Sequence, residues 1–183
     1  GNIGQPFSAW VEKSSTAGWA VVEVSSFQLE TIRDFHPEVV IVLNFAPNHL
    51  DRYRSYEDYI RAKWRITQNM EGNDLLIYNG NDIQLSDWAT QVECRRQCFR
   101  LEIEDERGAY FHQGNIYITG EKFITVSEMI IKGKHNYMNS MAAILAAKAA
   151  GVDDDSIRNV LRTFRGVEHR LEFVREWKGV RFF

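Results

Sequence analysis

Residues 20–63 read AVVEVSSFQLETIRDFHPEVVIVLNFAPNHLDRYRSYEDYIRAK, and this stretch decides the fold. Two short apolar runs, 19–24 and 38–44, show no wet face and predict strands buried on both sides of a parallel sheet. Between them Ser25 or Ser26 caps a helix, with Gln28 near its third position. That helix is expected to end near Phe35, ahead of Pro37. Strand, helix and strand in this order form a βαβ unit, which is right-handed and parallel in nearly all cases. Ser55 caps a second helix, expected over 56–70. In open parallel sheets ligands bind beyond the carboxyl ends of the strands. Three useful side chains fall there: Glu23 ends the first strand, His49 lies just past the second, and Lys63 sits in the following helix.

Outward from this stretch, 1–6 reads as a tight turn and 7–15 as a short helix ending before Gly18. Downstream, 74–78 predicts a strand, 83–91 a helix and 97–103 a further strand. From Ala109 the texture changes to short alternating runs broken by Gln-Gly-Asn and Gly-Glu-Lys, the pattern of antiparallel hairpins. An alanine-rich helix over 137–150 stops at Gly151, and another helix is expected over 153–162. Runs 171–174 and 180–183 read as strands around a turn at Lys178-Gly179. The whole predicts an α/β fold: a mainly parallel sheet flanked by helices, with a small antiparallel sheet.

At 183 residues, 44% hydrophobic and with five Trp, the chain can bury a sizeable core. A net charge of -3 supplies no electrostatic reason for nucleic acid or an anionic membrane as main partner. No apolar run approaches the roughly 20 residues of a membrane helix. Cys94 and Cys98 are expected to be a reduced pair, since a metal clip needs two further ligands and none follow. No GxxxxGK[ST] string occurs among these residues. The chain starts at Gly1 and stops inside GVRFF, an apolar run like an unfinished strand, and is expected to be a fragment of a longer protein.

Each chemical residue has a plain reading beside a functional one. Glu23 is flanked by Val21, Val22 and Val24; it either faces water or, in apolar surroundings, needs a metal or a donor. His49 follows Pro47-Asn48 and is either a surface imidazole or a metal ligand. Lys63 shares a helical stripe with Tyr56, Tyr59, Ile60, Ile66 and Met70. It either snorkels to the surface or is partly desolvated. A neutral amine there can take up carbon dioxide as a carbamate, an anion able to bind magnesium. His135, Asn136 and Asn139 fall around the first turn of a helix. Asparagines there either cap it or present donor and acceptor together to an adenine edge. Glu168-His169-Arg170 reads by itself as a solvated loop.

Six strings then occur in order along nearly the whole chain: GNIG from Gly1, EVSSFQLE from Glu23, NHLDRY from Asn48, RAKWRI from Arg61, GKHNYMNSMAA from Gly133 and GVEHRLE from Gly166. With them the sequence resembles the Mur ligases of peptidoglycan synthesis. Ser-Ser-Phe-Gln-Leu-Glu is closest to the branch that adds D-glutamate, whereas the tripeptide-forming relatives usually carry Ser-Ser-His. The resemblance implies the ATPase-like central domain over 1–174, incomplete at its N-terminus and without its phosphate loop, and the start of a C-terminal ligase domain at 175–183. It implies a bacterial cytoplasmic enzyme that uses ATP to phosphorylate the carboxylate of UDP-N-acetylmuramoyl-L-alanine, after which D-glutamate attacks the acyl phosphate.

Residue by residue, the resemblance makes Glu23, His49 and carbamoylated Lys63 the catalytic, magnesium-holding set. It places Asn136, Asn139, His135 and Arg170 at ATP, with the asparagines at the adenine end, and Asn2, Ser25, Ser26 and Gln28 at the UDP-sugar substrate. Asn48 departs from the aspartate usual before the histidine, which weakens the local field on His49. The partners implied are the two substrates and further domains of the same protein. The 183-residue chain alone is expected to lack ligase activity. From another class stands a non-catalytic nucleotide- or sugar-binding module on the same scaffold.

Overall fold

A computed structural model describes residues 18–46, 52–166 and 175–182. The chain forms two compact units, Gly1–Gln97 and Cys98–Phe183. In the first, α1 (Ser26–Leu29) precedes β1 (Val39–Val42), α2 (Tyr56–Trp64), a 3-10 turn (Arg65–Thr67), β2 (Leu75–Asn79) and α3 (Ile83–Ala89). β1 and β2 run parallel, with Val40 opposite Leu76 and Ile41 opposite Ile77. That is the pairing expected of strands joined through a helix. Ser55 caps α2 by accepting from the Asp58 N–H, and Asp82 caps α3 by accepting from Leu85. Glu57 and Asp58 in the first turn of α2, and Arg61 and Lys63 in its last, match the helix dipole. Val40, Leu76 and Ala89 form the buried centre, with Trp64, Ile66, Met70 and Tyr78 packed on it.

β3 (Arg95–Leu101) runs from the first unit into the second. There β4 (Ala109–His112), β5 (Asn115–Ile118) and β6 (Glu121–Thr125) precede α4 (Lys134–Ala149) and α5 (Asp154–Thr163). The six strands form one sheet in the order β1-β2-β3-β4-β5-β6. β4 lies parallel to β3, and β5 and β6 follow as an antiparallel meander. Gln113-Gly114 and Thr119-Gly120 make its two turns, each with both φ values positive. Such turns match the right-handed twist of the strands they join, and glycine takes that conformation without a Cβ penalty. Phe99, Ile116, Met141, Ile144 and Leu145 are fully buried in this unit. β7 (Arg175–Trp177) and β8 (Val180–Phe182) form a separate hairpin around Lys178-Gly179, where a turn is expected from the sequence.

Most expected elements form, with boundaries shifted by a few residues. Three differences are physical. Residues 19–24 are not a strand. Val21 is fully solvent-exposed and Trp19 is 46% exposed, so this run is not buried on both faces. Apolar character alone does not hold an extended segment; a ladder partner does, and among the described residues none pairs here. The helix after Ser25 ends at Leu29 rather than near Phe35. The expected 56–70 helix tightens into a 3-10 turn at Arg65–Thr67. The expected helix at 7–15 and strand at 171–174 lie outside the described residues.

Candidate functional site

In the first unit the expected site residues are built on α1. Ser25 is its N-cap: the Ser25 Oγ accepts from the Gln28 N–H at 3.4 Å. Gln28 Oε1 in turn accepts from the Ser25 N–H at 2.9 Å and from the Ser25 hydroxyl at 3.0 Å. This is a reciprocal capping box, as the spacing predicts. It engages the Gln28 carbonyl oxygen within the motif. Ser26 is buried and hydrogen-bonds the Tyr53 phenol. Glu23 precedes this turn as an exposed carboxylate on a non-strand segment.

α1 is only four residues long, too short to persist by its own hydrogen bonds. Two sets of side chains hold it. Glu30 accepts from Arg52 at 2.9 Å and from the Tyr53 hydroxyl at 2.5 Å. The Arg52 guanidinium lies 4.5 Å from the Phe27 ring centroid, and Phe27 stacks on Tyr53 at 6.2 Å with an 8° interplanar angle. The Arg52 and Tyr53 hydrogen bonds hold the Glu30 carboxyl below its usual range. Burial, and then the Glu30 contact, push the Tyr53 phenol up. On the other side Arg65 donates Nε to the Leu29 carbonyl at 2.9 Å and a terminal guanidinium nitrogen to the Ile32 carbonyl at 3.1 Å. Gln68 reaches the Ile32 and Arg33 carbonyls, and Asn69 reaches those of Arg33 and Phe35.

α2 carries Lys63 in its last turn. The expected stripe is present: Tyr59 and Ile60 are buried, while Tyr56, Lys63, Ile66 and Met70 are half-buried. Lys63 Nζ sits 5.2 Å from the Tyr59 ring centroid, within cation–π range. Tyr59 is braced by Tyr53 at 5.5 Å and by Tyr56 at 6.1 Å. The next residue, Trp64, packs edge-on against Trp88 at 5.4 Å and Phe45 at 6.3 Å, which fixes the rotation of α2. Lys63 therefore neither extends freely into water nor sits in a dry pocket.

A separate group of expected site residues lies in the other unit and starts at Gly133, the N-cap of α4. Helix formation begins at Lys134, so His135, Asn136 and Asn139 do occupy the opening turns. His135 and Asn139 are exposed and Asn136 is half-buried. Asn136 Nδ2 donates to the Lys132 carbonyl at 2.9 Å, which fixes the side chain. Lys132 Nζ itself donates to the Val126 and Ser127 carbonyls at 2.8 and 3.0 Å. The His135 ring folds back so closely that a Cβ on Gly133 would lie 3.2 Å from it.

In the first unit the structure joins Ser25, Ser26 and Gln28 with Lys63 through α1, Tyr53 and Tyr59; in the second it groups His135, Asn136 and Asn139. Asn2, Asn48, His49 and Arg170 lie outside the described residues, as do Glu168 and His169. Among the described residues no three His, Cys, Asp or Glu side chains are grouped to hold a metal ion. Oxygen from Glu23 and from a carbamate on Lys63 is the donor chemistry magnesium favours, so the described part of the predicted set fits that ion in kind. Sequence reasoning missed the residues that hold these groups: Glu30, Arg52, Tyr53, Arg65, Gln68, Asn69 and Lys132. Four of them, Glu30, Arg52, Tyr53 and Arg65, lie inside the strings EVSSFQLE, NHLDRY and RAKWRI, and their lack of an assigned chemical role was the available signal.

Comparison with known proteins matches this arrangement to one family. The model of the Mur ligase middle domain matches residues 2–147. UDP-N-acetylmuramoylalanine--D-glutamate ligase from Acidobacterium capsulatum is 43% identical over 189 residues, covering 100% of this chain and 41% of that protein. Proteins of the same name from Thermoanaerobacter pseudethanolicus and Streptococcus pneumoniae are 40% and 38% identical, also over the whole chain. The chain thus spans about two fifths of the length of the curated relatives it matches (41% and 40%). Among solved structures, MurF from Acinetobacter baumannii superposes with a TM-score of 0.63 at 20% identity, covering 76% of this chain and 32% of that one. MurF from Thermotoga maritima in complex with ADP gives 0.59 at 18% identity, covering 79% and 34%. With four fifths of its length matched by the middle-domain model and its sheet shared with solved ligases, the chain belongs to the Mur ligase family.

Proposed function

We propose that this chain is the central, ATP-using part of a bacterial cytoplasmic ligase that joins D-glutamate to UDP-N-acetylmuramoyl-L-alanine. The observation that carries the reading is whole-chain identity of 38–43% to three proteins bearing that ligase's name. Residues 1–174 form the central domain and 175–183 begin the next one in this reading. The reaction activates a carboxylate with ATP as an acyl phosphate, and the D-glutamate amine displaces phosphate to make the amide. Ser25, Ser26, Gln28 and Asn2 bind and orient the UDP-sugar substrate. Asn136, Asn139, His135 and Arg170 receive ATP, the asparagines at its adenine end. Glu23, His49 and Lys63, the last as a carbamate, hold magnesium. When bound, the metal neutralises charge on the phosphates.

The test is an assay of the parent polypeptide with ATP, UDP-N-acetylmuramoyl-L-alanine and D-glutamate. The expected result is stoichiometric ADP, phosphate and amide, with neither meso-diaminopimelate nor lysine replacing D-glutamate. Equal turnover with those amino acids would assign another branch of the family. Binding of nucleotide without any amide would favour the non-catalytic module, which the neutral Asn48 supports. The 183-residue chain alone is expected to turn over nothing.

A further inference from the structure

We infer that Arg65 is a positioning residue, which locks the Ser25–Gln28 motif to the helix turn that presents Lys63. The inference rests on the proposed roles of Lys63 and of the Ser25 motif. Arg65 is the C-cap of α2, two residues after Lys63, so the two side chains leave the same turn. Its guanidinium spans two carbonyls of the other segment, Leu29 at 2.9 Å and Ile32 at 3.1 Å. Leu29 is the last residue of α1, and a helix end leaves its final carbonyls without intrahelical partners. The Leu29 carbonyl takes only a long 3.5 Å bond from the Ile32 N–H, and Arg65 adds the shorter donor there and a second one at Ile32.

The rest of the clasp repeats that logic. Gln68 and Asn69 continue the set of donors along the Ile32, Arg33 and Phe35 carbonyls. Glu30 closes the opposite side through Arg52 and Tyr53. No β-ladder runs through 19–35, so side chains rather than strand pairing set where this motif stands. The planar fork of arginine reaches two acceptors at fixed spacing; a lysine at the same place offers a point charge and cannot hold both in that geometry.

The test uses the 183-residue chain with carbon-13 bicarbonate and magnesium, comparing wild type, Arg65→Lys and Arg65→Met. Two signals are read together: amide hydrogen exchange of residues 26–33, and the carbamate resonance of Lys63 with Lys63→Arg as its blank. Exchange of β2 amides serves as the control that the unit stays folded. The expected result for Arg65→Met is exchange at 26–33 faster by about tenfold or more, and a carbamate signal reduced several-fold with β2 unchanged. Arg65→Lys should recover only part of each. An undiminished carbamate signal beside accelerated exchange would overturn the inference, since Arg65 would then brace α1 without any effect at Lys63. A wild-type chain with no carbamate signal would instead remove the reading of Lys63 itself, and the inference would fall with it.

Discussion

The hairpin region 109–125 and the motif region 19–36 are of similar length, and they are held in different ways. In 109–125 the strands pair along ladders, from Ala109 opposite Ile118 to Asn115 opposite Thr125, with one bulge between Ile116 and Tyr117, and two-residue turns set the register. In 19–36 four residues are helical, and what holds them is a set of donors borrowed from residues 52–69. A ladder gives each residue its own partner and is insensitive to any one side chain. A clasp concentrates the work in a few side chains, and those can couple the segment to whatever else their helix carries. Here that helix carries Lys63.

The contrast can be broken first on the ladder side. Phe99 is fully buried on β3, and Phe99→Ala is expected to cost about 3–5 kcal/mol, the usual range for emptying a core aromatic site. Chemical denaturation would show it as a lower midpoint with an unchanged slope. Gly108→Ala comes next. A Cβ there would lie 2.1 Å from the Cys98 carbonyl oxygen, where β4 returns beside β3, and backbone cannot yield as a side chain can. A loss of about 2–3 kcal/mol is expected; wild-type stability would show that the return loop shifts freely.

On the clasp side the effects should be smaller and local. Ser25→Ala removes the acceptor of the Gln28 N–H and should cost about 1 kcal/mol of α1 stability. Hydrogen exchange should quicken at 26–30 and not at β2; acceleration at both would mean that the motif and the sheet unfold together. The smallest effect is a pH slope. The half-exposed His36 Nε2 lies 2.6 Å from the buried Asp74 carboxylate, with Glu71 and Glu38 also facing it. The Asp74 hydrogen bond raises the His36 imidazole above its ordinary 6.5. The pair therefore contributes fully below that value, and its contribution fades as pH rises through the elevated one. Melting from pH 5 to 9 should show wild type losing its advantage over His36→Gln across that rise. Parallel curves would dismiss the pair as a stabilising contact.

Much of the scaffold was legible because it depends on local patterns. The apolar run at 39–42, the capping serine at 55 and the turn signals around Gly114 and Gly120 all act over a few residues, and each produced the element expected. The run at 19–24 shows where this fails. Its composition is that of a buried strand, but burial requires a neighbour that no local pattern encodes. Position along the helices was likewise readable: the Ser25–Gln28 capping box and the opening-turn placement of Asn136 follow directly from spacing.

The sequence by itself determined the family, through six ordered strings, along with the α/β alternation and the residue types available for chemistry. Only the tertiary structure decided what surrounds them. That Lys63 rests over Tyr59, that Asn136 gives its amide to Lys132, and that Arg65 spans Leu29 and Ile32 are contacts between residues 4 to 36 positions apart. The physical reason is that a side chain's partner depends on where the backbone carries it. Hydrophobic periodicity reports which face is buried but says nothing of which carbonyl lies within a guanidinium's reach.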